Sequence, residues 1–254
     1  MARRHNRRRR RRGSLGPLLR VLSVLLTAAA IVAALTLFFK VDQVVVSGNE
    51  RYSDQEIVEV SGVEQGDNLI LMDKYRIAEQ LYTQLPYITE VRINRKLPDM
   101  LLVEVVETKA VAVIKGGSSN WLLDSEGKLL EVIGSAAIKN YLSIEGTTAQ
   151  DPAISGTLQL AQESPLSAER LLELLGELER RGMLEKTSSL DVSDPEHLTL
   201  SYDGRFQVEM FYDADFAYKL NCLQETVARL EPNETGIIRM TLKDDNEVRF
   251  IPSA

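Results

Sequence analysis

From Val21 to Phe39 the chain reads VLSVLLTAAAIVAALTLFF, 19 residues without a charged side chain. As a helix rising 1.5 Å per residue this run spans roughly 28 Å, the thickness of a bilayer's hydrocarbon core. A cleaved signal peptide is the rival reading, since the alanine-rich middle offers an A-x-A site. Such a peptide has an apolar region of about 7 to 15 residues followed by a polar cleavage site. Here the apolar residues continue through Leu35, Leu37, Phe38 and Phe39. The run is therefore expected to remain as a single membrane anchor over residues 21–39.

Charge gives the anchor a direction. The first 20 residues carry nine arginines and no acid, six of the nine in the stretch RRRRRRGS from Arg7 to Ser14. Removing those nine from the 30 Lys and Arg leaves 21 against 37 acids, a net charge of −16 for everything beyond Arg20. Basic residues are retained on the cytoplasmic side of a span. Residues 1–20 are thus expected to form a basic cytoplasmic tail, with Lys40 onward outside the cell membrane. The arginines also attract anionic lipid, at about 1 kcal/mol each near the surface. A nucleic-acid partner is not expected: six arginines bind any polyphosphate, but no aromatic residue is interleaved among them for stacking. No second apolar run of spanning length follows.

About 215 residues lie beyond the anchor, enough for one large domain or two small ones. Cys222 is the only cysteine, so no internal disulfide forms, which fits a bacterial exported protein better than a small eukaryotic secreted module. VDQVVVSGN, from Val41 to Asn49, is a β-branched strand closed by a Gly-Asn turn. Ser53 with Glu56 three residues on has the spacing of a helix-initiating capping box. A second helix is expected over DKYRIAEQLYTQL, with Tyr75, Ala78, Leu81 or Tyr82, and Leu85 at helical spacing, ending before Pro86. YITEVRINRKL alternates through Ile88, Val91 and Ile93; Pro98-Asp99 turns the chain; MLLVEVVET returns as a strand. The order is β-α-α-β-β.

A strand just outside an anchor written V..VVVSGN, followed by S..EI, G.NLI..D, LP.I..V.I.R.LP..L.VEV.E and AVAVI, resembles the POTRA domain of the bacterial FtsQ/DivIB cell-division family. The resemblance runs from the basic tail to the last strand. It implies an α+β fold: a single transmembrane helix, a POTRA domain over 41–110, and a β-rich domain with two or more helices over 111–254. POTRA-like domains also occur in outer-membrane assembly and secretion proteins, so an envelope assembly or secretion factor is the alternative.

The remaining segments read as that second domain. NWLLDSEGKLLEVI is a hairpin around Asp124, Ser125 and Gly127, and EGTTAQDPAISGT reads as a linker. LSAERLLELLGELERRG is a helix with Leu171, Leu174, Leu175 and Leu178 on one face and Gly182 as its stop. HLTLSYDGRFQVEMFYD is a hairpin turning at Asp203-Gly204. Phe216, Leu220, Leu223, Val227 and Leu230 mark a core helix ended by Glu231-Pro232. GIIRMTLKDDNEVRFIPSA closes the chain as strand, polar turn, strand.

Catalytic chemistry finds little support. His197 is the one imidazole beyond the anchor, and Cys222 sits one position from its helix's apolar seam, where a structural thiol is the simpler reading than a nucleophile. No G-x-S-x-G motif occurs. Two carboxylates acting on peptidoglycan sugars would be the enzymatic alternative, yet the acids of DDNE and YDADF fall at a turn and a helix start. No cofactor, metal or catalytic residue is expected. Recognition remains: a final edge strand, Glu247 to Ile251, accepts an extended partner by main-chain hydrogen bonding, unless its charges merely blunt the edge. The family resemblance implies the former, with small bitopic division proteins of the FtsL and DivIC/FtsB type bound at this end and linked to the septal peptidoglycan synthesis machinery. It points to Arg239, Thr241, Glu247, Arg249 and Phe250. The function it implies is a non-enzymatic divisome scaffold enriched at the division septum.

Overall fold

The computed structural model describes residues 16–241 and 248–253. Its first element is helix α1, Gly16–Phe38. Every residue of it whose burial is described is exposed, and Gly16–Thr36 is long and apolar enough to cross a membrane. The helix starts five residues before the uncharged run and takes in Arg20, because a flanking arginine extends its head to the interface without breaking helical hydrogen bonding.

Strand β1 (Gln43–Ser47), helices α2 (Asp54–Ser61) and α3 (Lys74–Gln84), and strands β2 (Ile88–Lys96) and β3 (Met100–Glu107) follow in the expected β-α-α-β-β order. The three strands form one sheet in the order β1-β3-β2, with β1 parallel and β2 antiparallel to β3. Local chemistry explains the boundaries. Ser53 Oγ accepts the Glu56 amide at 3.2 Å, and Gly62 ends α2 in the left-handed conformation. Gly48 turns the chain after β1 at φ +86°, where a Cβ would lie 2.1 Å from the Val105 carbonyl oxygen. Asp73 caps α3 by accepting the Tyr75 and Arg76 amides. That helix buries Ile77 and Leu81, whereas Tyr75, expected on the inner face, stands 88% exposed. The buried stripe is centred on an i, i+4 pair and leaves Tyr75 beyond its margin.

The second sheet has nine strands: β4 (Ala112–Gly116), β5 (Ser119–Leu123), β6 (Leu129–Ile133), β7 (Leu142–Glu145), β8 (Thr187–Asp191), β9 (His197–Tyr202), β10 (Phe206–Phe211), β11 (Gly236–Arg239) and β12 (Arg249–Pro252). Their spatial order is β12-β11-β10-β9-β8-β7-β4-β5-β6. Pairs β4–β7, β7–β8 and β10–β11 are parallel, the others antiparallel. Helices α4 (Ala168–Arg180) and α5 (Phe216–Arg229) cover one face. Leu171, Leu174, Leu175 and Leu178 of α4 and Phe216, Leu220 and Leu223 of α5 pack there against Ile114, Leu190, Leu198, Leu200, Val208 and Ile238. The β9–β10 turn has Asp203 and Gly204 at φ +56° and +65°, the backbone that such a hairpin needs.

The stretch read as a linker is pinned. Ala149, buried, donates its amide to the Lys115 carbonyl at 2.7 Å, and Ser155 donates to that of Leu129 at 2.8 Å. Its backbone continues the sheet as isolated bridges, so polarity of side chains was a poor guide to order.

Candidate functional site

Alternation along the strands gives the large sheet a second face, opposite the helices. At the β4–β6 end Val113, Leu122 and Leu130 on this face are buried against Tyr87, with Tyr52 beside it. The Tyr87 hydroxyl donates to Glu131 Oε1 at 2.6 Å, and Arg51 reaches the same oxygen at 3.3 Å. The guanidinium also lies 3.7 Å above the centre of the Tyr87 ring. Burial, with the Glu131 carboxylate next, pushes the Tyr87 phenol well above its ordinary range. Lys128 Nζ donates to the Ile88 carbonyl at 2.7 Å, and burial lowers the pKa of that amine. Glu107 organises the near side: its carboxylate accepts the amides of Glu50, Arg51 and Tyr52 at 2.9, 2.6 and 3.1 Å. One residue at the end of β3 thereby holds the loop that carries Arg51 and Tyr52 to the junction. A cleft of about 760 Å³ opens beside it, lined by Arg51, Tyr87, Glu107, Lys109 and Tyr141.

At the other end the same face is polar and open. His197, Thr199 and Ser201 of β9 stand opposite Phe211, Glu209 and Gln207 of β10. Arg239 ends β11, with Nε donating to Glu209 Oε2 at 2.6 Å. Glu209 raises the arginine's pKa further, first through that hydrogen bond. Arg249 stands directly opposite Arg239 across the β11–β12 pair and is exposed. Glu209 thus offsets one of two facing cations, and Arg249 has no ion pair among the described residues. Phe250 points to the helix side, edge-on to Phe206 at 6.0 Å between ring centres, and is half-buried. Thr241 follows the strand, half-buried; Glu247 lies outside the described residues.

Beyond β12 no further strand is paired among the described residues. The amides of Gly236 and Met240 donate to the Arg205 and Glu209 carbonyls, on the β10 side, while Ser253 donates to the Thr235 carbonyl at 2.8 Å. Antiparallel pairing alternates inward and outward main-chain groups. Arg249 and Ile251 therefore bond to β11, and the N–H and C=O of Phe250 face outward. Pro252, next in the outward set, has no N–H. The missing donor at Pro252 interrupts the outward set of main-chain groups, which resists indefinite strand addition along this rim. Gly236 permits the arrangement, since a Cβ there would meet the Ile251 carbonyl oxygen at 2.1 Å.

Among the described residues singled out for catalysis, Cys222 and His197 are not brought together with a catalytic partner. Cys222 is half-buried on α5, and His197 pairs with Asp194 at 3.0 Å, the Asp also accepting the Glu196 and His197 amides. Those amide bonds, the one from Glu196 foremost, lower the Asp194 pKa. The pair locks a turn. Among the described residues no group of three or more His, Cys, Asp or Glu side chains is placed to hold a metal ion.

Sequence reasoning missed Glu209, Phe206 and Gly236 at the rim, and Glu107, Glu131 and Tyr87 at the junction. Their partners lie across strands distant in sequence, except that Glu107 is the last acid of the VEV.E motif.

The family model for the POTRA domain, FtsQ-type, matches residues 39–108. The cell division protein FtsQ of Corynebacterium glutamicum is 32% identical over 118 residues, 46% of this chain and 52% of that protein. The cell division protein DivIB of Clostridium acetobutylicum is 27% identical over 161 residues, 63% of this chain and 61% of that protein. FtsQ of Syntrophotalea carbinolica is 27% identical over 198 residues, 76% and 67% of the two chains. Residues 39–108 thus match an FtsQ-type POTRA domain, and parts of the chain are similar to FtsQ and DivIB cell division proteins. The aligned parts cover between half and two thirds of the first relatives' length. Within the FtsQ-type POTRA segment lie the anchor's exit at Phe39, the Glu107 loop clamp and Tyr87, so the family match covers one side of the junction.

Proposed function

We propose that this chain is a non-enzymatic scaffold of the bacterial division septum, of the FtsQ/DivIB kind. Its helix anchors it with the arginine tail in the cytoplasm, and its exported parts, 41–110 and 111–254, recognise other proteins. The β12 rim holds an extended segment of a small bitopic division protein, of the FtsL or DivIC/FtsB type, and links it to septal peptidoglycan synthesis. The observation that carries this reading is the rim of β12, which is unpaired among the described residues, with Phe250's main-chain groups facing outward and Arg249 exposed beside them. A net charge of −16 beyond Arg20 favours partners with basic patches and disfavours polyanions. The relatives' description as cell division proteins points the same way.

The test is a fluorescent protein fused to the amino terminus and imaged in growing host cells. The proposal expects a midcell band that appears as the septum forms. Even labelling of the envelope in dividing cells would count against it and promote the envelope-assembly alternative.

A further inference from the structure

We propose that the turn around Ile70 and Leu71, together with Tyr75, is a second membrane contact that seats the POTRA domain on the outer lipid surface beside its anchor. The inference rests on the reading of α1 as a membrane span and adds a surface that this reading does not contain.

The last four carbonyls of an α-helix lack partners within it. In α1 two of these are met by one side chain from the POTRA domain: Asn68 Nδ2 lies 3.3 Å from the carbonyl oxygens of both Leu35 and Thr36. The other end of the same amide, Oδ1, accepts the Ile70 and Leu71 amides at 2.9 and 3.0 Å. Asn68 therefore bonds the helix end and the turn at once. The backbone reinforces it. Leu69 donates to the Phe39 carbonyl at 2.9 Å, Val41 to that of Asp67 at 2.8 Å, and Lys40 bridges Asn68 in antiparallel fashion. Val41 and Leu69 are both buried in the POTRA core, with Phe39 packed on it. No slack separates anchor from domain.

The turn held this way shows apolar side chains to the outside. Leu71 is 74%, Ile70 39% and Tyr75 88% exposed, and Phe38 at the helix end 66%. Grouped exposed apolar side chains mark an interaction surface. The occupant is lipid because the patch continues an apolar span, whose end fixes the depth of the turn at the bilayer interface. Tyrosine suits that depth, and exposed Lys40 and Arg76 each follow an aromatic, Phe39 and Tyr75, as cations do at a headgroup layer. The acids of the segment are engaged by backbone: Asp67 accepts the Glu64 amide at 3.0 Å, and Asp73 caps α3.

The experiment uses the full chain with Cys222→Ser, reconstituted in phosphatidylethanolamine–phosphatidylglycerol vesicles. An environment-sensitive fluorophore is placed on one cysteine at a time: Leu71→Cys, Tyr75→Cys, Leu26→Cys in the helix, and Gln207→Cys on the exposed face of β10. Emission from positions 71 and 75 is expected to shift to the blue and to be quenched by nitroxide-labelled lipid, as at position 26, while position 207 stays water-like. Water-like, unquenched emission at 71 and 75 with quenching at 26 overturns the lipid contact alone. Unquenched emission at 26 overturns the anchor, and the contact with it.

Discussion

At the β4–β6 end of the nine-stranded sheet, the face turned from the helices is dry: Val113, Leu122 and Leu130 are buried against the POTRA tyrosines. At the β9–β12 end the same face shows Thr199, Ser201, Gln207, Glu209, Arg239 and Arg249, half-exposed or exposed. The strand alternation is the same at both ends; the residue type in the outward positions differs. A permanent neighbour favours aliphatics and a tyrosine whose hydroxyl is satisfied. A face left to water takes serine, threonine and paired charges, and stays free for a partner that comes and goes. The difference separates an internal joint from a candidate docking edge within one sheet.

The largest effect that bears on this contrast is at the dry end. Leu122→Ala or Leu130→Ala is expected to cost about 2–5 kcal/mol, the range for a buried leucine, whereas Ile251→Ala on the wet face costs roughly 1 kcal/mol or less. Urea unfolding of the full chain in detergent measures both, and equal losses would erase the distinction. Gly236→Val comes next. The new side chain meets the Ile251 carbonyl, so a loss of about 1–3 kcal/mol is expected. Hydrogen exchange should show the protection lost at the amides of Arg249 and Ile251 and kept at those of β4 and β5.

Tyr87→Phe removes the hydroxyl bond to Glu131 and is expected to cost about 1 kcal/mol near neutral pH. It also alters the alkaline limb. Burial raises the Tyr87 pKa, and burial followed by Asp194 and Asp191 pushes Tyr212 up to about 12. The folded chain thus holds these phenol protons at pH values where the unfolded chain has released them. Their contribution is complete below about pH 10, the unfolded value, and is lost as pH rises through the folded values. Stability measured against pH should fall above about 10, less steeply in Tyr87→Phe. The smallest effect belongs to Arg239→Ala, which removes a partly exposed, solvent-screened ion pair and is expected to leave stability nearly unchanged. Its consequence is expected in partner affinity, read by comparing capture of the bitopic protein with and without the substitution.

Local signals carried most of the elements. Ser53 and Asp73 mark helix starts, Asp203-Gly204 marks a hairpin, and the leucines of α4 and the Phe216–Leu223 seam of α5 are buried as their spacing implies. Sheet order was not legible, because the parallel pairs β4–β7 and β7–β8 join strands separated by long connections whose register no local residue announces. The polar 145–157 stretch looked like a linker for the same reason: backbone bonds fix it. At the candidate edge the strand pair could be read, but not the roles of its side chains. Glu209 finds Arg239 only through β10–β11 pairing, and Phe250 turns inward because β11–β12 pairing sets it opposite Ile238, within ring contact of Phe206.

A β12 rim that receives a partner strand should be touched by that partner at Arg249. The most direct measurement places a photocrosslinking amino acid at Arg249 and, separately, at Glu104 on the POTRA sheet, in dividing cells. The expected result is an adduct to a small single-span membrane protein from position 249, absent from position 104 and abolished by Gly236→Val. Adducts of equal yield from both positions, or a 249 adduct that survives Gly236→Val unchanged, would contradict it.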